Sequence, residues 1–142
     1  MTLGTINTAA EIPPGDIDRW WSEDSSGALV LTQAAAETGC SRTLPSDMYY
    51  IVMAHFDFTQ ENNGSVPIQC IGYIYEATSL VNQCFQSLDR NGSTTSNWRN
   101  TLTIAHLGLA STGTEIHLKA EKTQSASTGK LNSARMQIWE VA

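Results

Sequence analysis

The sequence predicts one all-β domain, an antiparallel sandwich or barrel-like sandwich, set behind an extended N-terminal arm. Three observations predict it. Roughly seven segments of strand length carry alternating or clustered apolar residues, turn signals separate them at close spacing, and no helical period is sustained along the chain. The 142 residues fit one domain and leave little room for a second. A chain of this size buries roughly two-thirds of its unfolded surface, so it needs neither metal nor disulfide staples.

Residues 1–19 read as an arm. Thr, Asn, Ala and Gly dominate it, and Pro13-Pro14-Gly15 stops any regular element. Its apolar residues Ile6 and Ile12 are candidate contacts with a partner on which such an arm would lie. The sandwich is expected over 20–142, opening at Trp20-Trp21. Gly27 to Thr32 reads as a short strand, and Ala34-Ala35-Ala36 as one helical turn before Gly39 stops it. Tyr49 to Phe58 is the clearest strand. Tyr50, Val52, Ala54, Phe56 and Phe58 share one face, and Tyr49, Ile51, Met53, His55 and Asp57 the other. The second face turns polar at its end, so the strand is expected to leave the core part-way. Glu61-Asn62-Asn63-Gly64 carries a hairpin signal, which makes Ile68 to Tyr75 the expected partner strand. Residues 78–89 read two ways. Leu80, Val81, Cys84, Phe85 and Leu88 recur at helical spacing, while the Ser, Asn and Gln content favours strand. Asp89-Arg90-Asn91-Gly92 turns the chain. Thr101 to Leu107, Thr114 to Glu121 and Ala134 to Val141 are the closing strands. In them Ile116, Leu118, Ala120, Met136 and Ile138 point inward, and His117, Lys119 and Trp139 outward.

The order of these segments resembles the jelly-roll of the tumour-necrosis-factor and C1q-like families. A tryptophan-led strand precedes the tyrosine-rich Met48-Tyr49-Tyr50-Ile51-Val52-Met53-Ala54. A threonine-rich strand, Asn100 to Leu107, then runs through a tight turn into the charged alternating strand ending Glu115-Ile116-His117-Leu118. Met136-Gln137-Ile138-Trp139-Glu140-Val141 closes the pattern. The likeness covers roughly Trp20 to Val141 and departs at two points. Gly113-Thr114 stands where the family has Gly-Asp, and Ala134-Arg135-Met136 where it has a Phe-x-Gly start. The resemblance implies a jelly-roll-like sandwich and a homotrimer packed through its aromatic strand. The polar arm and sparse charge are also similar to bacteriophage virion proteins, either capsid decoration proteins or tail tips.

Composition narrows the chemistry. Fourteen acidic residues against eight basic ones leave a net charge of −6, with no basic cluster. Nucleic acid and anionic membrane surfaces are therefore excluded as expected partners, since both need a positive footprint. The start of the chain lacks the basic and apolar regions of a signal peptide, and the longest apolar run, 49–54, is too short to span a bilayer. Cys40, Cys70 and Cys84 have no metal or redox spacing. They read as reduced core thiols, with one disulfide plus a free thiol as the alternative and Cys40, beside Gly39, as the most exposable.

No catalytic, cofactor or metal site is expected. Histidines 55, 106 and 117 lack HxH or HExxH spacing, although the strands bearing His106 and His117 are candidates to adjoin and His55 shares a face with Asp57. No serine sits in GxSxG. Asp57 and Glu61 do not match a calcium loop. The better lead is aromatic. Trp20, Trp21, Tyr49, Tyr73, Tyr75 and Trp139 are the candidate oligomer or partner contacts, since an outward aromatic stripe marks an interface or a ligand platform. The expected function is that of a non-enzymatic structural virion protein, a bacteriophage capsid decoration protein that binds the major capsid or another virion protein as a homotrimer. The alternative is a lectin-like tail-tip module for host glycan.

Overall fold

The computed structural model describes residues 19–25, 27–62, 67–88 and 96–141. The expected arm, with Ile6 and Ile12, lies outside the described residues, as do the centres of the turns expected near 63 and 91. Among the described residues, nine strands form two antiparallel sheets: β1 (Trp20–Asp24), β2 (Leu29–Val30), β3 (Ala36–Thr43), β4 (Met48–Asn62), β5 (Ile68–Glu76), β6 (Ser79–Leu88), β7 (Ser96–Ala110), β8 (Glu115–Lys122) and β9 (Thr128–Val141). The first sheet runs β1-β9-β4-β7, with β2 also paired to β9. The second runs β3-β8-β5-β6. The chain is all-β over the described residues, and the two sheets face each other across one core in a jelly-roll-like sandwich.

Period-two alternation explains the core. Tyr50, Val52, Ala54, Phe56 and Phe58 of β4 and Met136 and Ile138 of β9 point inward from the first sheet. Cys70 and Ile74 of β5, and Ile116, Leu118 and Ala120 of β8, meet them from the second. Each fully buried Val, Leu, Ile, Phe or Met among them contributes about 1.5–3 kcal/mol of transfer free energy. Two close approaches set the spacing of the layers. Gly72 faces the Phe56 ring across the core, and Gly108 lies under the Tyr50 ring as its cross-strand neighbour. The Tyr50 hydroxyl donates to Glu76 Oε2 at 2.6 Å, which ties the sheets together. Burial and that carboxylate push its pKa well above the ordinary phenol value.

Several expectations are corrected. The Tyr49–Phe58 and Ile68–Tyr75 strands are not a hairpin. The chain changes sheets between them, so β4 pairs with β7 and β9 while β5 pairs with β6 and β8. The real hairpin is β5–β6, joined through Ala77-Thr78. No helical turn forms at 33–37, because Ala36 and Glu37 are already paired with Ala120 and Lys119. Only Leu29 and Val30 of the 27–32 run pair as strand. Residues 79–88 are strand, and their apolar spacing reflects an edge position with a register shift opposite Ile74/Tyr75. Nor does β4 leave the core at its polar end, since Gln60 and Asn62 are buried.

Those buried amides do a specific job. Among the described residues β6 pairs only with β5 and β7 only with β4, and these two edge strands lie beside each other at one side of the sandwich. Gln60 Nε2 donates to the Gln86 carbonyl at 3.0 Å, and Asn62 Nδ2 to the Leu88 carbonyl at 2.8 Å. Asn82 Nδ2 donates to the Ala105 carbonyl at 2.7 Å, and Asn100 Nδ2 to Gln86 Oε1 at 2.9 Å. Side-chain amides thus satisfy edge carbonyls that a further strand would otherwise take.

Candidate functional site

The register places the outward residues of the first sheet in rows. Trp20 lies opposite Trp139, Trp139 opposite Ile51, and Ile51 opposite Leu107. One step along, Tyr49 stands between Leu109 and Val141. These side chains form one contiguous apolar half-face. Most of its members are open to solvent: Trp20 is 50% exposed, Tyr49 57%, Leu107 62% and Leu109 60%, while Trp139 is half-buried.

The other half of the same face is polar. Arg135 Nε pairs with Asp24 Oδ1 at 2.6 Å, and Arg99 grips Asp57 through two bonds of 3.1 and 2.6 Å. The Arg99 guanidinium holds the Asp57 carboxyl below the usual carboxylate range, and Arg135 does the same for Asp24. Small residues leave a shallow hollow of about 550 Å³ here, lined among others by Asp24, His55, Asp57, Thr101, Ser133 and Arg135. His55 Nδ1 lies 2.9 Å from the Thr103 hydroxyl.

On the outward face of the second sheet, the tyrosines, His117 and Lys119 are engaged with one another and with nearby carboxylates. The Tyr73 hydroxyl donates to Glu121. Lys119 Nζ lies 3.1 Å from Glu37 and 4.9 Å from the centre of the Tyr75 ring. His117, expected outward, is 7% exposed, because Glu37 and Ala77 close over it. Its Nδ1 lies 2.9 Å from Glu37 Oε2, and its Nε2 2.8 Å from the Ala77 carbonyl. Leu80 and Phe85 are exposed apolar side chains on the edge strand β6, and they do not join the first-sheet patch.

The structure therefore divides the aromatic residues read from the sequence. Trp20, Tyr49 and Trp139 come together on the first sheet. Trp21 turns inward against the core, with Arg42 over its ring at 5.9 Å. Tyr73 and Tyr75 lie on the other sheet, 6.2 Å apart between ring centres. Sequence reasoning missed Ile51, Leu107, Leu109 and Val141 as members of the patch. The available signal was Leu107-Gly108-Leu109 continuing an outward period of two beyond the threonines.

The histidines and cysteines also find places. His106 sits on β7 of the first sheet and His117 on β8 of the second, so their strands do not adjoin. Among the described residues no three His, Cys, Asp or Glu side chains gather as metal ligands. All three cysteines are free thiols. Cys40 lies in β3, fully buried rather than exposable, with Sγ 3.5 Å from the Ala134 carbonyl. Burial pushes the Cys70 thiol up to about 12 and the Cys84 thiol up to about 11.

The fold is similar to that of Eiger TNF from S. frugiperda, with a TM-score of 0.57 at 10% identity over 87% of this chain and 93% of that one. It is also similar to part of a chain of infectious bursal disease virus, Gt strain, with a TM-score of 0.51 at 12% identity, covering 87% of this chain and 34% of that one. At these identities the likeness is one of fold, and it supports the jelly-roll assignment. No protein-family model matches the sequence, and no curated protein matches it by sequence.

Proposed function

We propose that this protein is a structural component of a virion, a non-enzymatic capsid decoration protein of a bacteriophage that assembles as a homotrimer on the shell. One observation carries the reading: the apolar half-face of the first sheet lies open across four strands. From the fractional exposures, with full side-chain areas of roughly 150–250 Å² for the aromatics, the patch offers roughly 600 Å² of surface. That is the upper range for a lone monomer's largest patch and approaches the ~800 Å² per partner of a standard interface. Copies of the same chain are the natural cover, because the patch spans four strands of a regular sheet and is flanked by mutually neutralised charges. Three copies follow from the family resemblance, and the shell partner from the virion-like composition and the fold's likeness to part of a viral chain.

Light scattering during gel filtration tests the assembly. The expected result is a trimer that the Leu107→Asp, Leu109→Asp double variant converts to a folded monomer. A wild-type monomer, or a double variant that still trimerises, overturns the reading. Co-sedimentation with particles lacking the protein tests the shell partner, and deletion of residues 1–16 is expected to weaken that binding.

A further inference from the structure

A hollow on the second sheet lies at one end of the sandwich, between two turns. Its volume is about 690 Å³, within the range of small-molecule sites. One wall is the β5–β6 turn at Ala77-Thr78, and the other is the β7–β8 turn at Thr112 to Thr114. Outward residues of β8 and the Tyr75 ring form the floor.

Both walls are fixed. Asp47 accepts from the Thr112 amide at 2.7 Å and from its hydroxyl at 3.0 Å, while the Gly113 amide donates to the Leu44 carbonyl at 2.9 Å. On the other side the Ala77 amide donates to the Glu115 carbonyl at 2.8 Å, and the Ala77 carbonyl takes the His117 contact already described. Ala77 holds a φ of 51°, a left-handed conformation costly for a residue with a Cβ. That strain persists because the surrounding bonds over-determine the turn, so the walls are set before any ligand arrives.

The lining has unused hydrogen-bonding capacity. Among the described residues, the side chains of Thr78, Thr114 and Glu115 have no hydrogen-bond or ion-pair partner. Lys119 is different, since Glu37 and the Tyr75 ring already engage its ammonium. An anionic ligand would therefore meet a free carboxylate and no free cation. A purely apolar ligand would leave two hydroxyls and a carboxylate dry. Two hydroxyls, one carboxylate acceptor and a partly exposed tyrosine side chain in the floor suit a molecule with many hydroxyls along its rim and C–H groups between them. We propose that this hollow binds a neutral pyranose, the terminal sugar of a glycan. Glu115 and the two threonines hold its hydroxyls, and Tyr75 borders its C–H face. The site is on the opposite sheet from the assembly patch, so it stands or falls independently of the trimer.

The test is a backbone-amide NMR titration of the full chain with a panel of methyl glycosides of the common neutral pyranoses, at the weak affinity expected of one sugar. At least one glycoside is expected to move the amides of Ala77, Thr78, Gly113 and Thr114 together. Glu115→Ala and Thr78→Val are each expected to weaken that binding about five- to tenfold, the effect of one hydrogen bond. Unchanged spectra outside the site show that each variant is folded. The proposal is overturned if no glycoside moves these amides, or if the shifts persist with unchanged affinity in both variants. Leu107→Asp, which strikes the trimer patch, leaves the sugar shifts in place.

Discussion

Substituting Gly72 by alanine probes how the two sheets are spaced. A Cβ at this position would lie 2.7 Å from three atoms of the Phe56 ring. Ordinary carbon contacts begin near ~3.5 Å, so something must move by close to an ångström. The ring has little freedom to do so, because it is fully buried and stacked on Phe58 with centroids 5.8 Å apart and planes 3° from parallel. Gly72 is also held in the middle of its sheet, between Cys84 and Ala120. Overpacking of this kind costs about 1–3 kcal/mol. Urea unfolding followed by tryptophan fluorescence is expected to show a lower midpoint with an unchanged slope, since the surface exposed on unfolding barely changes. Replacing Phe56 by leucine removes the atoms that clash. The Phe56→Leu, Gly72→Ala double variant is therefore expected to be more stable than the sum of the single effects by at least ~0.5 kcal/mol. An unchanged midpoint for Gly72→Ala, or strict additivity in the double variant, refutes the argument that this contact sets the layer spacing.

Other expectations follow from the same geometry. Ala77→Gly relieves the left-handed φ and should raise the urea midpoint, by up to about 1 kcal/mol in stability. The Asp57 carboxyl titrates below its unfolded value because of Arg99, so its stabilisation is present above the ordinary carboxylate range near ~4 and is lost as pH falls through the lower, folded value. Asp57→Asn should accordingly flatten the acid limb of stability measured between weakly acidic and strongly acidic buffer. Ellman's reagent should react slowly with native Cys40 and Cys70, which are fully buried, and rapidly with all three thiols in urea. Asn62→Leu removes the amide that meets the Leu88 carbonyl and should cost about 1–3 kcal/mol, the penalty of a buried unsatisfied acceptor, read from urea midpoints.

Much of the fold was legible because its strands alternate cleanly. The inward face of β4 and the inward residues of β8 and β9 could be named from period two alone. What failed was local reasoning about partners. The Asn-Gly signal near residue 63 describes a turn, but it carries no information on whether the chain re-enters the same sheet or the other. Three consecutive alanines favour helix only until Ala36 and Glu37 are claimed by β8, and pairing outweighs propensity. His117 alternates outward as expected, yet it is buried by side chains and backbone from two other segments. The candidate site was half legible. Trp20, Tyr49 and Trp139 stand out as outward aromatics, but adding Leu107 and Leu109 requires the β4–β7 register, which emerges only in three dimensions.

The amide seam between β6 and β7 bears on what kind of aggregate this protein can form. Edges that invite strand addition lead to open-ended fibres, because each added chain presents a fresh edge to the next. Here a neighbour that sought to extend β6 would first have to evict Gln60 and Asn62 from the Gln86 and Leu88 carbonyls. Growth by the β6 edge is thereby disfavoured, while association by the face remains open. Face-to-face association under rotational symmetry closes on itself after a fixed number of copies. The seam thus closes one side of the sandwich to filament growth.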